Sequence, residues 1–171
     1  PKKAFDYYNK ADLKTFLNTA RKFKKEAYAF FFVLAYTGLR SGEALTLEWS
    51  DIDFNKKTLS VKRTASKGMQ NRNIIQSPKT SDSARTIFLD NDTLDVLTEW
   101  RKEQQKLVKV VSLKDKQFVF NGWFNNYPAN VPLSKTAVTL WNTEIAKKAH
   151  VRHIRIHDFR HTHASLLFDA G

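Results

Sequence analysis

Apolar positions recur at helical spacing through much of the chain. Leu13, Phe16, Leu17 and Ala20 fall on one face of a helix expected over 10–25, with Asn9 as its N-cap. Residues 27–36 are apolar without a polar side, which predicts a helix at the centre of the fold. Gly38 is placed to end it, and Ser41 to cap a short helix running through about 47, with Glu43 in its first turn. A turn is expected over 49–54. The pattern then changes period. Residues 58–64 alternate apolar and polar, and 73–76 and 85–89 read as further strands, giving one small three-stranded antiparallel sheet. Breaks are expected at 67–68 and 80–83. Leu94, Leu97, Trp100 and Leu107 then mark a helix over 92–110. A short extended piece is expected at 117–120. The Asn- and Pro-rich stretch 121–132 reads as a loop, Ser134 caps a helix reaching 149, and a last helix starts near His157. The fold class is therefore α+β, mainly helical, with a small antiparallel sheet. Residues 1–8 read as an entering linker, and 1–171 as a single domain.

Composition narrows the class. The chain has 171 residues, 42% of them hydrophobic and 13 of them Phe, enough for a real core. With no cysteine, disulfide and thiolate chemistry are excluded, which suits a reducing cytoplasm. The ten-residue apolar run at 27–36 falls well short of the roughly 20 residues a membrane span needs, so no membrane partner is expected. The formal net charge of +12 points to a polyanionic partner. That charge is uneven. Lys56 to Arg85 holds eight Lys or Arg against one acid, Asp82, and all five His fall between His150 and His163.

Two motifs carry candidate chemistry. Thr37-Gly38-Leu39-Arg40-Ser41-Gly42-Glu43 sends an arginine out of the most apolar helix, with Glu43 one turn on to hold its guanidinium. Arginine's planar fork matches two phosphate oxygens. In His157-Asp158-Phe159-Arg160-His161, residues 157, 160 and 161 are spaced to share a helical face, while Phe159, Leu166 and Leu167 are left to anchor the core. Between them lies Pro78-Lys79-Thr80 in the basic stretch. Taken singly, each has a bland reading as a surface ion pair or a solvated cation. Two arginines, a lysine and a histidine together suit a phosphate diester on which charge is growing.

In this order, with Ala84-Arg85-Thr86-Ile87 after the lysine and Thr162-His163-Ala164-Ser165 after the second arginine, the motifs closely resemble the catalytic domain of tyrosine recombinases, the phage-integrase family. The resemblance covers nearly the whole chain. It implies site-specific recombination or integration of double-stranded DNA through a 3′-phosphotyrosyl intermediate. Arg40 and Arg160 match the arginines that clamp the scissile phosphate, Lys79 the acid that protonates the leaving 5′ oxygen, and His157 the proton-transfer histidine. Glu43 matches the support of the first arginine, and His161 a bracing position. The resemblance implies no cofactor and no metal, and a tetramer on DNA for the full-length parent. The basic composition leans toward integrases of phages and other mobile elements. Lys62, Arg63, Lys67 and Arg72 are expected to touch the DNA backbone, from charge placement alone.

The chain departs from the family pattern at its nucleophile. Tyr7, Tyr8, Tyr28, Tyr36 and Tyr127 all precede His157, and none falls where the attacking tyrosine is expected. The sequence is therefore expected to be a truncated catalytic domain lacking the tyrosine helix and an amino-terminal DNA-binding domain, inactive alone and monomeric. A plain basic DNA-binding module is the alternative, but it leaves the ordered motifs unexplained. A metal hydrolase would use the clustered histidines, with His157 and His161 at ligand-like spacing. Flanking Arg152, Arg155 and Arg160 oppose a cation there, and there is no His-Glu-x-x-His.

Overall fold

The computed structural model describes residues 6–67, 73–76, 84–107, 117–124 and 127–171. The chain divides into two compact units: Pro1–Ser41 with Thr136–Gly171, and Gly42–Lys135.

The first unit is helical. Helix α1 (Lys10–Phe23) starts at Asn9, whose side chain accepts from the Asp12 backbone N–H. It buries Leu13, Phe16, Leu17 and Ala20, the stripe its spacing predicts. Helix α2 (Lys25–Thr37) buries almost every side chain and packs against α1 and α6 (Phe159–Asp169). Helix α5 (Lys135–Ala149) buries Val138, Ile145 and Ala146. The core is aromatic. Phe16, Phe31 and Phe159 lie with ring centroids 5.1–5.4 Å apart, and Tyr8 closes the cluster at 5.4 Å from Phe16 and 5.9 Å from Phe159. Edge-on and tilted pairs of this kind add about 0.5–1.5 kcal/mol each beyond area burial. Tyr8, expected in a linker, is thus a core residue with no exposed surface. The last helix differs from expectation too. A 3-10 turn (Ile156–Asp158) precedes α6, and Leu167 is exposed rather than an anchor, as is Phe168.

The second unit opens with α3 (Ser41–Leu45), whose first residue belongs to the helical unit. Its three-stranded antiparallel sheet has the order β1 (Ile52–Asp53), β2 (Thr58–Val61), β5 (Arg85–Phe88). The expected third strand is elsewhere. Strand β4 (Asn73–Gln76) pairs only with β3 (Thr64–Lys67) among the described residues, in a separate antiparallel hairpin, and the 58–64 strand breaks at Lys62 and Arg63. Within 121–132, expected as a loop, β6 (Asn121–Phe124) and β7 (Tyr127–Pro132) pair antiparallel. Helix α4 (Asn91–Leu107) begins at Asp90, whose carboxylate accepts the Thr93 N–H at 2.7 Å. It buries Leu94, Leu97, Trp100 and Gln104. Gln104 accepts from the Trp49 indole at 2.7 Å and donates to Asn121 at 2.8 Å, so buried polar groups satisfy one another.

Candidate phosphate-binding site

Arg40 is presented by the way α2 ends. Gly38 takes a left-handed conformation (φ 71°), and its N–H reaches the Leu34 carbonyl at 3.1 Å. Glycine adopts that conformation without the steric cost a Cβ brings. Leu39 is then buried and Arg40 is exposed, immediately before α3.

The second arginine is fixed from several sides. Arg160 is half-buried in the first turn of α6, directly after the fully buried Phe159. Thr162, also fully buried, accepts the Tyr8 N–H at 3.0 Å, while the Tyr8 hydroxyl donates to the Arg152 carbonyl at 2.7 Å. Asn142 donates to the Ile154 carbonyl at 2.7 Å. Asp158, buried at the start of α6, accepts from the Arg155 backbone N–H at 3.1 Å and from its guanidinium at 3.3 Å. Segment 152–162 is therefore held at both ends and in its middle.

His157 is exposed on the 3-10 turn, its ring edge-on to His161 at 5.9 Å between centroids. His161 Nε2 lies 3.9 Å from the Asp158 carboxylate. Two of the three residues expected on one face thus have neighbouring rings, although His157 sits before the helix. Its pKa is lowered below the ordinary histidine value, first by desolvation and then by the charges of Arg160 and His161, with Asp158 opposing.

The two arginine-bearing elements meet at one joint. His163, one turn after Arg160, lies against Gly38, two residues before Arg40. A Cβ at Gly38 would fall 2.5 Å from His163 Cδ2, and His163 Nδ1 is 2.9 Å from the Ala35 carbonyl. Two residues span at most about 7 Å, and one helical turn rises about 5.4 Å. The backbones at residues 40 and 160 thus flank a single contact inside the helical unit.

In the second unit, Glu43 is buried and forms a bidentate pair with Arg85, at 2.8 and 3.1 Å. The sequence reading gave Glu43 only to Arg40 and did not assign Arg85 a role; a buried carboxylate's need for a cation was the available signal. Of the expected DNA contacts, Lys62 is mostly exposed, 3.7 Å from Asp51. Arg63 is half-buried, paired with Asp51 and with Glu48 at 3.3 Å, and donates to the Thr46 carbonyl. Lys67 is the last residue of β3, while Arg72 and Lys79 lie outside the described residues. Lys147, Lys148, His150, Arg152, His153 and Arg155 are also exposed.

A sequence profile described as the phage integrase family matches residues 7–171. The chain is 24% identical to the ICEBs1 integrase of Bacillus subtilis (strain 168), over 99% of its own length and 45% of the relative's. It is 34% identical to a tyrosine recombinase XerC-like protein of Caldanaerobacter subterraneus subsp. tengcongensis, over 94% of this chain and 44% of that one. The chain thus spans under half the length of these curated relatives. Among solved structures, the Tn1549 transposon integrase in complex with a circular intermediate DNA superposes with a TM-score of 0.80 at 20% identity, covering 99% of this chain and 55% of that one. XerA recombinase gives 0.70 at 22% identity, covering 96% and 52%.

Proposed function

The chain belongs to the phage integrase family and has the fold of tyrosine-recombinase catalytic domains, and from that premise we propose that Arg40, Lys79, His157 and Arg160 form the phosphate clamp of a site-specific recombinase acting on double-stranded DNA. The observation that carries this reading is the joint of His163 with Gly38, which sets residues 40 and 160 on either side of one contact.

The chemistry follows from charge. When a tyrosine oxygen attacks phosphorus, negative charge grows on the nonbridging oxygens, and fixed guanidinium donors stabilise it more than they stabilise the ground state. The tyrosine proton needs an acceptor. His157, with its pKa held down, is mostly neutral at pH 7 and suits that task. As the phosphorus–O5′ bond breaks, Lys79 gives its proton to the leaving oxygen, and the phosphate remains on the tyrosine as a 3′-phosphotyrosyl ester. The attacking tyrosine is proposed to lie outside these 171 residues. Tyr8, for one, is buried, its hydroxyl is given to the Arg152 carbonyl, and its pKa is pushed up to about 12. In this reading Glu43 is the support of Arg40, and His161 braces His157 from Asp158. Lys62, Arg63, Lys67 and Arg72 are the phosphate-backbone contacts of this reading, with the exposed basic residues of 147–155 as further candidates. A tetramer on DNA is proposed for the full-length protein only.

The test uses that full-length protein on a nicked suicide substrate. Arg40→Ala and Arg160→Ala should each slow covalent adduct formation by roughly 10²–10³-fold while DNA is still bound. A protein that only binds DNA would form no adduct at all. Adduct formation at the parental rate by either variant would refute the clamp.

A further inference from the structure

We infer that His163 is a positioning residue that sets the spacing of the two arginines, acting through a hydrogen bond to the end of α2. This inference rests on the phosphate-clamp reading above.

A helix leaves its last four carbonyls without intrahelical partners. At the end of α2, the Leu34 carbonyl is taken by the Gly38 N–H, and the Ala35 carbonyl faces His163 Nδ1 at 2.9 Å. A carbonyl only accepts, so Nδ1 carries the proton and the tautomer is fixed. The ring also occupies the space above Gly38, where a Cβ would come within 2.5 Å of it. Residue 38 is therefore constrained to glycine twice, by its φ of 71° and by the imidazole over it. Packing alone would be served by any flat ring, but the bond to Ala35 needs a donor at one place.

The consequence reaches Arg40 and Arg160, each within about one turn of the joint. A shift of the α2 end against α6 moves one guanidinium relative to the other. A clamp on one phosphate tolerates about 0.5 Å of such movement. A misplacement of about 1 Å can cost 10²-fold in rate.

In the full-length protein, His163→Phe keeps the ring and removes the donor, whereas His163→Asn restores an N–H close to the Nδ1 position. His163→Phe should cut the single-turnover cleavage rate on a nicked suicide substrate by about 10–10²-fold, leave DNA affinity unchanged, and be largely rescued by His163→Asn. In an Arg40→Ala background the same change should cost no more than roughly twofold, because the group it positions is gone. Parental cleavage by His163→Phe, no rescue by His163→Asn, or an undiminished loss in the Arg40→Ala background would each overturn the inference. Failure of the clamp itself shows separately, as parental cleavage by Arg40→Ala alone. Should His163→Phe not fold, nitrogen-15 NMR of the unmodified chain decides. A slowly exchanging proton on Nδ1 is expected, and an Nε2-protonated ring would overturn the inference.

Discussion

Arg85→Ala should destabilise the second unit more than most surface changes, because it removes a bidentate partner from a carboxylate that water does not reach. The Glu43 side chain is 4% exposed and that of Arg85 28%. Removing one member of a fully buried pair costs about 3–5 kcal/mol. Arg85 is partly hydrated, so screening lowers the expected loss to about 2–3 kcal/mol. At about 2–4 °C per kcal/mol for a chain of this size, the melting temperature should fall by about 4–12 °C. Tryptophan fluorescence suits the measurement, since Trp49, Trp100 and Trp123 lie in the second unit and only Trp141 in the first. The companion variant makes the cause visible. Replacing both partners, Glu43→Leu with Arg85→Met, removes the buried charge together with its counterion and should recover more than half of the loss. A parental melting temperature for Arg85→Ala, or a double variant no better than the single one, would refute the account of this pair.

Three further outcomes follow from the geometry. The His157 imidazole should titrate below an ordinary histidine in proton NMR, and Arg160→Ala should raise its midpoint; a midpoint at or above the ordinary value would contradict the stated causes. Because the folded state binds that proton less readily than the unfolded one, His157 lowers stability as the pH falls through the ordinary histidine range and leaves it untouched above that range. Tyr8, pushed up to about 12 chiefly by burial, keeps its proton in the folded state after the unfolded chain has lost it. Stability should therefore fall as the pH rises from 10 toward 12. Tyr8→Phe should remove that alkaline step and cost about 0.5–1.5 kcal/mol at neutral pH, read by urea denaturation. Gln104→Leu takes away the acceptor of the buried Trp49 indole and should cost about 1–3 kcal/mol; an unchanged midpoint in urea would count against that network.

The helices were legible in the sequence because their buried faces repeat locally. Leu13, Phe16, Leu17 and Ala20 describe α1 without reference to anything else. The sheet was legible only in part, since a strand's pattern does not name its partner. Residues 73–76 form a strand as expected but pair with β3, and two residues at 52–53 supply the third strand of the larger sheet. The strand pairing within 121–132 was hidden by its Asn and Pro content, which mimics a loop. Arg63 was placed by charge alone, and its pairing with Glu48 and Asp51 was not legible from its neighbours in sequence. Arg40, Glu43, His157 and Arg160 were singled out by motif. Arg85 and His163 were quoted in those motifs without a role, because each acts on a residue far along the chain, 42 and 128 positions away. Tyr8 lies before the first periodic segment, and nothing local marks it as core.

The claim beneath all of this is that Arg40 and Arg160 hold the same phosphate. A crystal structure of this chain with orthovanadate, a mimic of the phosphoryl group, measures that directly. The account predicts one oxyanion with both guanidiniums on it at about 2.7–2.9 Å. Two separate anions, or an Arg160 turned away from the anion held by Arg40, would contradict it.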